Sequence, residues 1–164
     1  MPAAIYAGGA YIFNFNYETM NWEYVQKITT PASTTGDQVG FSTSMRGKFV
    51  VLGSPFNSQF GNNTGYVYIY ERGGEDGDTF TQLASIFGPN LSPNSNFGWS
   101  VSVNRAGTIA VGAPGDRGSV GSVYIFKTLS FGQWSLVGTL EPTDITASPE
   151  TYGNFGWSVG NNEE

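Results

Sequence analysis

The chain has 164 residues, 39% of them hydrophobic, 15% aromatic and only 12% charged, with 23 glycines and a net charge of −6. That length supports one domain with a real core, and high aromatic content with low charge excludes a disordered chain. Seven scattered basic residues, no cysteine and no apolar run near the ~18 residues of a membrane span argue against nucleic-acid binding, disulfides, thiolate metal sites and membrane insertion.

The opening run "MPAAIYAGGAYIF" carries no basic region ahead of its apolar residues, so it does not read as a secretory signal peptide. Residues 10–13 ("AYIF") read as a strand, with residues 3–6 a candidate second one. Residues 22–28 form another, starting on Trp22 and ending on Ile28. Next come 39–45 ("VGFSTSM"), 50–55 ("VVLGSP"), 67–70 ("VYIY") and 80–86, from Phe80 to Ile86. The same four types then recur as 97–103 ("FGWSVSV"), 109–114 ("IAVGAP"), 123–126 ("VYIF") and 134–140, from Trp134 to Leu140. The chain closes on a further copy of the first type, "FGWSVG" at 155–160.

These runs are an internal repeat. Gly40, Gly98 and Gly156 lie at a constant spacing of 58 residues, with four short strand-like runs per period, the pattern of four-stranded sheets repeated radially. The first run of each repeat alternates sharply. Phe97, Trp99, Val101 and Val103 fall on one face of a period-2 strand, and Gly98, Ser100 and Ser102 on the other. Val39, Phe41, Thr43 and Met45 repeat the large face against Gly40, Ser42 and Ser44. One large and one tiny face suit an innermost strand, where neighbouring sheets converge.

The segment "FGWSVSVNRAGTIAVGAPGDRGSVGSVYIF" resembles the FG-GAP repeat, the blade unit of integrin α-subunit-type β-propellers, and the resemblance extends over nearly the whole chain. It implies an all-β fold: a β-propeller of four-stranded antiparallel blades, with one blade split between the N- and C-termini. Residues 1–35 would supply outer strands of the split blade, 36–93 and 94–151 one blade each, and 152–164 an inner closing strand that buries Phe155, Trp157 and Val159 against an N-terminal strand of its own or a partner chain. Propellers join their ends this way because it removes unpaired sheet edges. Two blades and a composite third fall short of the usual four to eight. Either two chains share strands to build six blades, or the chain is a segment of a longer array; a compact three-bladed monomer is the remaining arrangement.

With neither His nor Cys, triads and thiol nucleophiles are absent, and the sparse carboxylates sit in turns, so no enzyme activity, catalytic residue or cofactor is expected. Many members of the family bind calcium through acidic residues between the FG and GAP strands. Here those connections read "NRAGT" (104–108) and "RGK" (46–48), basic and without a carboxylate, so no metal is expected there. Glu75, Asp76 and Asp78 read as a solvated hairpin tip rather than a weak metal site.

Loops on a rigid scaffold commonly carry binding. The partner-contact candidates are therefore "FNSQFGNNTG" (56–65) and "GDRGSVG" (115–121), specifically Phe56, Asn57, Phe60, Asn62, Asn63, Asp116 and Arg117. Phe56 and Phe60 could stack on a sugar ring or a protein, or fold back onto the blade. Trp22, Trp134 and Tyr17 read as blade core or rim, Asp116-Arg117-Gly118 as a turn. Asn62-Asn63-Thr64 and Asn90-Leu91-Ser92 are glycosylation sequons. The resemblance implies an extracellular or virion-surface protein that binds protein or glycan. The alternative is a structural assembly subunit whose partners are copies of itself, a homo-oligomer completed blade by blade.

The metal expectation is directly testable. Thermal melts with chelator and with millimolar calcium are expected to coincide, and a rise of many degrees with calcium would overturn it.

Overall fold

The computed structural model describes residues 6–30, 34–73, 78–130, 132–143 and 153–162. The strands follow the repeat in chain order: β1 (Ala10–Asn16), β2 (Asn21–Ile28), β3 (Ser42–Arg46), β4 (Phe49–Ser54), β5 (Tyr66–Arg72), β6 (Phe80–Ile86), β7 (Ser100–Val103), β8 (Ile109–Ala113), β9 (Ser122–Ser130) and β10 (Gln133–Leu140). They form three antiparallel sheets: the pair β1-β2, the meander β3-β4-β5-β6 and the meander β7-β8-β9-β10. The expected 3–6 strand and the hairpin-tip residues Glu75 and Asp76 fall outside or largely outside the described residues.

Burial explains which runs became central strands. Every residue of β4 ("FVVLGS") is buried, as a strand covered on both faces requires. β7 and β6 alternate or bury only their ends, because each lies at an edge of its sheet. The sheets stack face to face in chain order. Ile12 and Ile28 of the β1-β2 pair pack on Val50, Leu52, Tyr68, Tyr70 and Phe80 of the next sheet. The opposite face of that sheet, with Val51, Val67, Ile69 and Ile86, packs on Val101, Val103, Ile109, Val111, Tyr124 and Phe126.

The FG dipeptide is a turn rather than the start of a strand. Gly40, Gly98 and Gly156 have φ of +84°, +89° and +89°, in the left-handed region where glycine is preferred, so ladder pairing begins only at Ser42 and Ser100. In each copy the residue after the glycine donates its amide back across the turn: Phe41 to Gln38, Trp99 to Asn96 and Trp157 to Asn154, all at 3.0 Å. The residue before the glycine forms a parallel bridge to the preceding repeat, at Gly8–Val39, Gly65–Phe97 and Gly121–Phe155.

The small face of each inner strand meets the next repeat directly. Ser42 Oγ donates to the carbonyl of Gly98 at 2.8 Å, and Ser100 Oγ donates to that of Gly156 at 2.7 Å. On the neighbouring strand a Cβ on Gly53 would lie 2.0 Å from Gly98 O, and one on Gly112 would lie 1.9 Å from Gly156 O. The large faces depend on a preceding neighbour. Val101 and Val103 are 8% and 5% exposed, whereas their counterparts Thr43 and Met45 are exposed, because among the described residues no inner strand beside the β1-β2 pair covers β3.

Residues 155–160 do not form a strand, and among the described residues they do not pair with β1 or β2. They lie against β7: Ser100 bonds Gly156, and the Asn161 amide donates to Ser102 Oγ at 3.1 Å. Phe155 and Val159 are half-buried and Trp157 is 57% exposed, short of the burial expected for a closing strand. For Phe155 the reason is visible at its counterpart Phe97, fully buried against Tyr124 and Phe126. The matching rings, Tyr11 and Phe13 of β1, sit at the other end of the stack.

Gly53 has ordinary backbone angles, so Gly53→Ala tests the space alone. It is expected to destabilise the chain by about 1–3 kcal/mol in chemical denaturation; Ser100→Leu, crowding the other side of the same kind of joint, is expected to cost a similar amount.

Candidate functional site: an aromatic ladder on the loop face

In both meanders the connections leaving the second and fourth strands, and the FG turns, gather at one end of the sheets. The FG turns place the residue after each glycine at this end. Phe41 and Trp99 have ring centroids 4.8 Å apart, and Trp99 and Trp157 are 4.6 Å apart, tilted by about 50° in both pairs. Phe56, on the connection after β4, meets Phe41 edge-on at 5.6 Å and Trp99 at 6.0 Å. The result is a continuous ladder of rings across three successive repeats, with Trp99 half-buried at its centre and Phe41 and Trp157 open to solvent. Fixed aromatic faces of this kind offer large contact area at little conformational cost.

A second cluster lies further out on the same end. Phe60 packs on Phe87 at 4.7 Å and stacks on Tyr66 at 6.0 Å, yet Phe60 and Phe87 remain 42% and 43% exposed. Both aromatics expected in the 56–65 loop therefore belong to ring clusters: Phe56 folds back onto the ladder, while Phe60 keeps an open face. Asn62 is exposed and Asn63 half-buried, its side-chain amide donating to Asn94 Oδ1 at 2.9 Å.

Two of the expected contact residues are removed from the surface. Asn57 is 3% exposed and donates to Asp37 Oδ2 at 3.1 Å; Asp37 also accepts from the Thr34 amide at 2.6 Å. Asp116 is 1% exposed and accepts from Asn90 Nδ2 at 3.2 Å and from the Tyr124 hydroxyl. Burial, then the hydrogen bond to Asp116, raises the Tyr124 phenol above its usual range, keeping it a donor. Asn57 and Asp116 stand at the same repeat position, two residues after the proline of "GSP" and "GAP". In both repeats they pin the loop from inside, since a buried polar group needs a partner. Asp116 and Arg117 lie in the short helical turn α1 (Asp116–Ser119), where Arg117 and Gly118 have φ of +54° and +70°, and Arg117 pairs with Glu141 at 2.9 Å.

Sequence reading missed the ladder by assigning Phe41, Trp99 and Trp157 to the buried face of a strand. The available signal was the period itself: an aromatic directly after the repeat glycine in all three copies. Phe87 carried no such signal. Of the residues expected in the blade core or rim, Trp134 packs on the core and donates Nε1–H to Gly107 O at 2.8 Å. Trp22 and Tyr17 are exposed at 70% and 82%. Of the sequons, Asn62 is open, while the Asn90 amide is bonded to Asp116 and Tyr124. Among the described residues no cluster of three or more acidic, histidine or cysteine side chains could hold a metal ion, and Asp78 pairs with Arg72.

The FG-GAP repeat family matches residues 22–70 and again 80–126. No curated protein matches the chain at a significant level.

The loop anchor can be tested separately from any ligand. Asp116→Ala leaves the Tyr124 hydroxyl without its acceptor, at about 1–3 kcal/mol for an unsatisfied buried group, while the Asn90 amide keeps its bond to the Tyr124 oxygen. Denaturation is expected to show that loss, with Asp116→Asn recovering part of it.

Proposed function

The chain belongs to the FG-GAP repeat family, and from that premise we propose that it is a non-catalytic binding module built as a segment of a β-propeller. Residues 36–93 and 94–151 are one blade each, and 1–35 with 152–164 are parts of a split blade. The observation that carries the reading is the ladder Phe41–Trp99–Trp157 on the loop face: rigid, partly exposed and repeated once per blade. Its partner is a glycan or a protein, met at the rings of the ladder and at Phe60, Asn62 and Asn63. The absence of His and Cys and the internal hydrogen bonding of the buried Asp37 and Asp116 support a role without catalysis. The family supports an extracellular or virion-surface setting. Among the described residues no helix is long and apolar enough to cross a membrane.

A second reading, a subunit that assembles by blade completion, is favoured by a separate observation. The outer face of the β1-β2 pair is bare, with Tyr11, Phe13, Trp22 and Tyr24 between 49% and 70% exposed, a contiguous aromatic patch of the kind that marks an interaction surface.

The binding reading is tested by glycan-array and protein-capture screening of the full chain, followed by Trp99→Ala. Removing the central ring is expected to weaken retention of any ligand found by about tenfold or more while leaving the molecular mass unchanged. Undiminished retention would move the site off the ladder.

A further inference from the structure

The packing rule that joins the sheets inside this chain also specifies what covers its two bare ends. At the internal joint, Val67, Ile69 and Ile86 of one sheet lie against Tyr124 and Phe126 of the next, while the small face of β3 lies against β7. Tyr11 and Phe13 stand where Tyr124 and Phe126 stand in the repeat, yet they are 58% and 49% exposed against 2% and 5%. At the other end Leu140 stands where Ile86 does, 51% exposed against 7%. Among the described residues, parts of the two complementary halves of this joint, Tyr11 and Phe13 at one end and Leu140 at the other, are thus exposed, while Val123, where Val67 stands, is buried.

The inner strands repeat the same mismatch. Beside β1 a notch of about 510 Å³ is lined by Tyr11, Phe13, Trp22 and Met45. It lies against the large face of β3, the position that an inner strand with a small face occupies in the internal joint. Residues 154–162 carry such a face, Gly156, Ser158 and Gly160, with Ser158 and Gly160 exposed. In their own chain they sit on β7, which packs on the Ser42 and Ser44 side of β3.

We infer that the notch beside β1 receives residues 154–162 of a second copy of this chain, with the Tyr11–Phe13 face covering the Leu140 face of that copy. The contact is heterologous, one end of a copy meeting the opposite end of the next. Such contacts make closed rings when the rotation closes and filaments when it does not. Two copies joined reciprocally place their four meanders and two composite blades in one ring. The inference rests on the blade-completion reading and specifies its partner and its surfaces.

The test uses the full chain and two variants, one for each side of the contact: Phe13→Glu with Trp22→Glu on the notch, and Ser158→Arg on the tongue. All three positions are exposed, so circular dichroism is expected to be unchanged. By sedimentation velocity over a range of concentrations, the wild-type chain is expected to run as a multiple of its 17.6 kDa mass. Each variant alone is expected to dissociate at concentrations at least about tenfold higher. Mixed in equal amounts, the two variants are expected to form a 1:1 complex, since the tongue of one and the notch of the other are both intact. A wild-type chain that stays monomeric at every concentration overturns both this inference and the assembly reading. An oligomer that neither variant weakens, or variants that fail to complement, overturns the inference and leaves assembly by another surface.

Discussion

The architecture depends on one close approach: the small face of each inner strand against the FG turn of the following repeat, at a glycine with no room for a side chain. Gly53 meets the Gly98 carbonyl and Gly112 meets that of Gly156, with a serine hydroxyl bonding the same carbonyl in each case. Glycine is needed for space and serine for the polar partner, because the carbonyl at this joint has left water. A larger residue at any of these positions would wedge the inner strands apart. Further out, where the sheets diverge, the gap is filled by Ile69, Tyr124 and Phe126. Small residues inside and large ones outside are the two ends of one wedge.

The joint also arranges the loop face. Because the FG turn is fixed by its bond across to the preceding repeat, the residue after each glycine is delivered to the same level in every copy. An aromatic there stacks on the aromatic of the next repeat, and the ladder follows from the period without further instruction. The connections after the second strands are held differently, by polar residues turned inward: Asn57 to Asp37 in one repeat, Asp116 to Asn90 and Tyr124 in the other. The same position uses an amide in one and a carboxylate in the other, so the constraint is a filled hydrogen-bond site rather than a particular residue. Rings are left to face outward on loops that cannot collapse.

A joint with two unlike faces has a direction. A short run of stacked repeats that does not close into a ring therefore leaves unlike faces at its two ends, in contrast to a two-sheet sandwich that closes on its own core. The exposed aromatics of β1 and β2 and the exposed aliphatics of β10 are the same physical fact seen at opposite ends. Apolar area of this size is worth covering, at roughly 25 cal/mol per Å², and the shape of the cover is set by the repeat itself.

The repeat, the ten strand-forming runs between residues 10 and 140 and the order in which the sheets follow one another were legible in the amino-acid sequence alone, whereas the strand expected at 155–160 was not formed. Those features are local: the alternation of Val101 and Val103 with Ser100 and Ser102, the continuous apolar run of β4, and the constant spacing of Gly40, Gly98 and Gly156. Only the tertiary structure decided three other matters. Gly98 lies in a left-handed turn rather than in a strand, because the chain must bend there to reach Gly65 of the preceding repeat. Asn57 and Asp116 point inward rather than toward a partner, since Asp37 and Asn90, which bond them, lie 20 and 26 residues away in the chain and become neighbours only when the loops pack. Residues 155–160 keep Phe155 only half-buried although their sequence matches 97–102 almost residue for residue, because burial is a property of the neighbour, and Phe97 has Tyr124 and Phe126 beside it where the corresponding rings, Tyr11 and Phe13, lie at the far end of the stack.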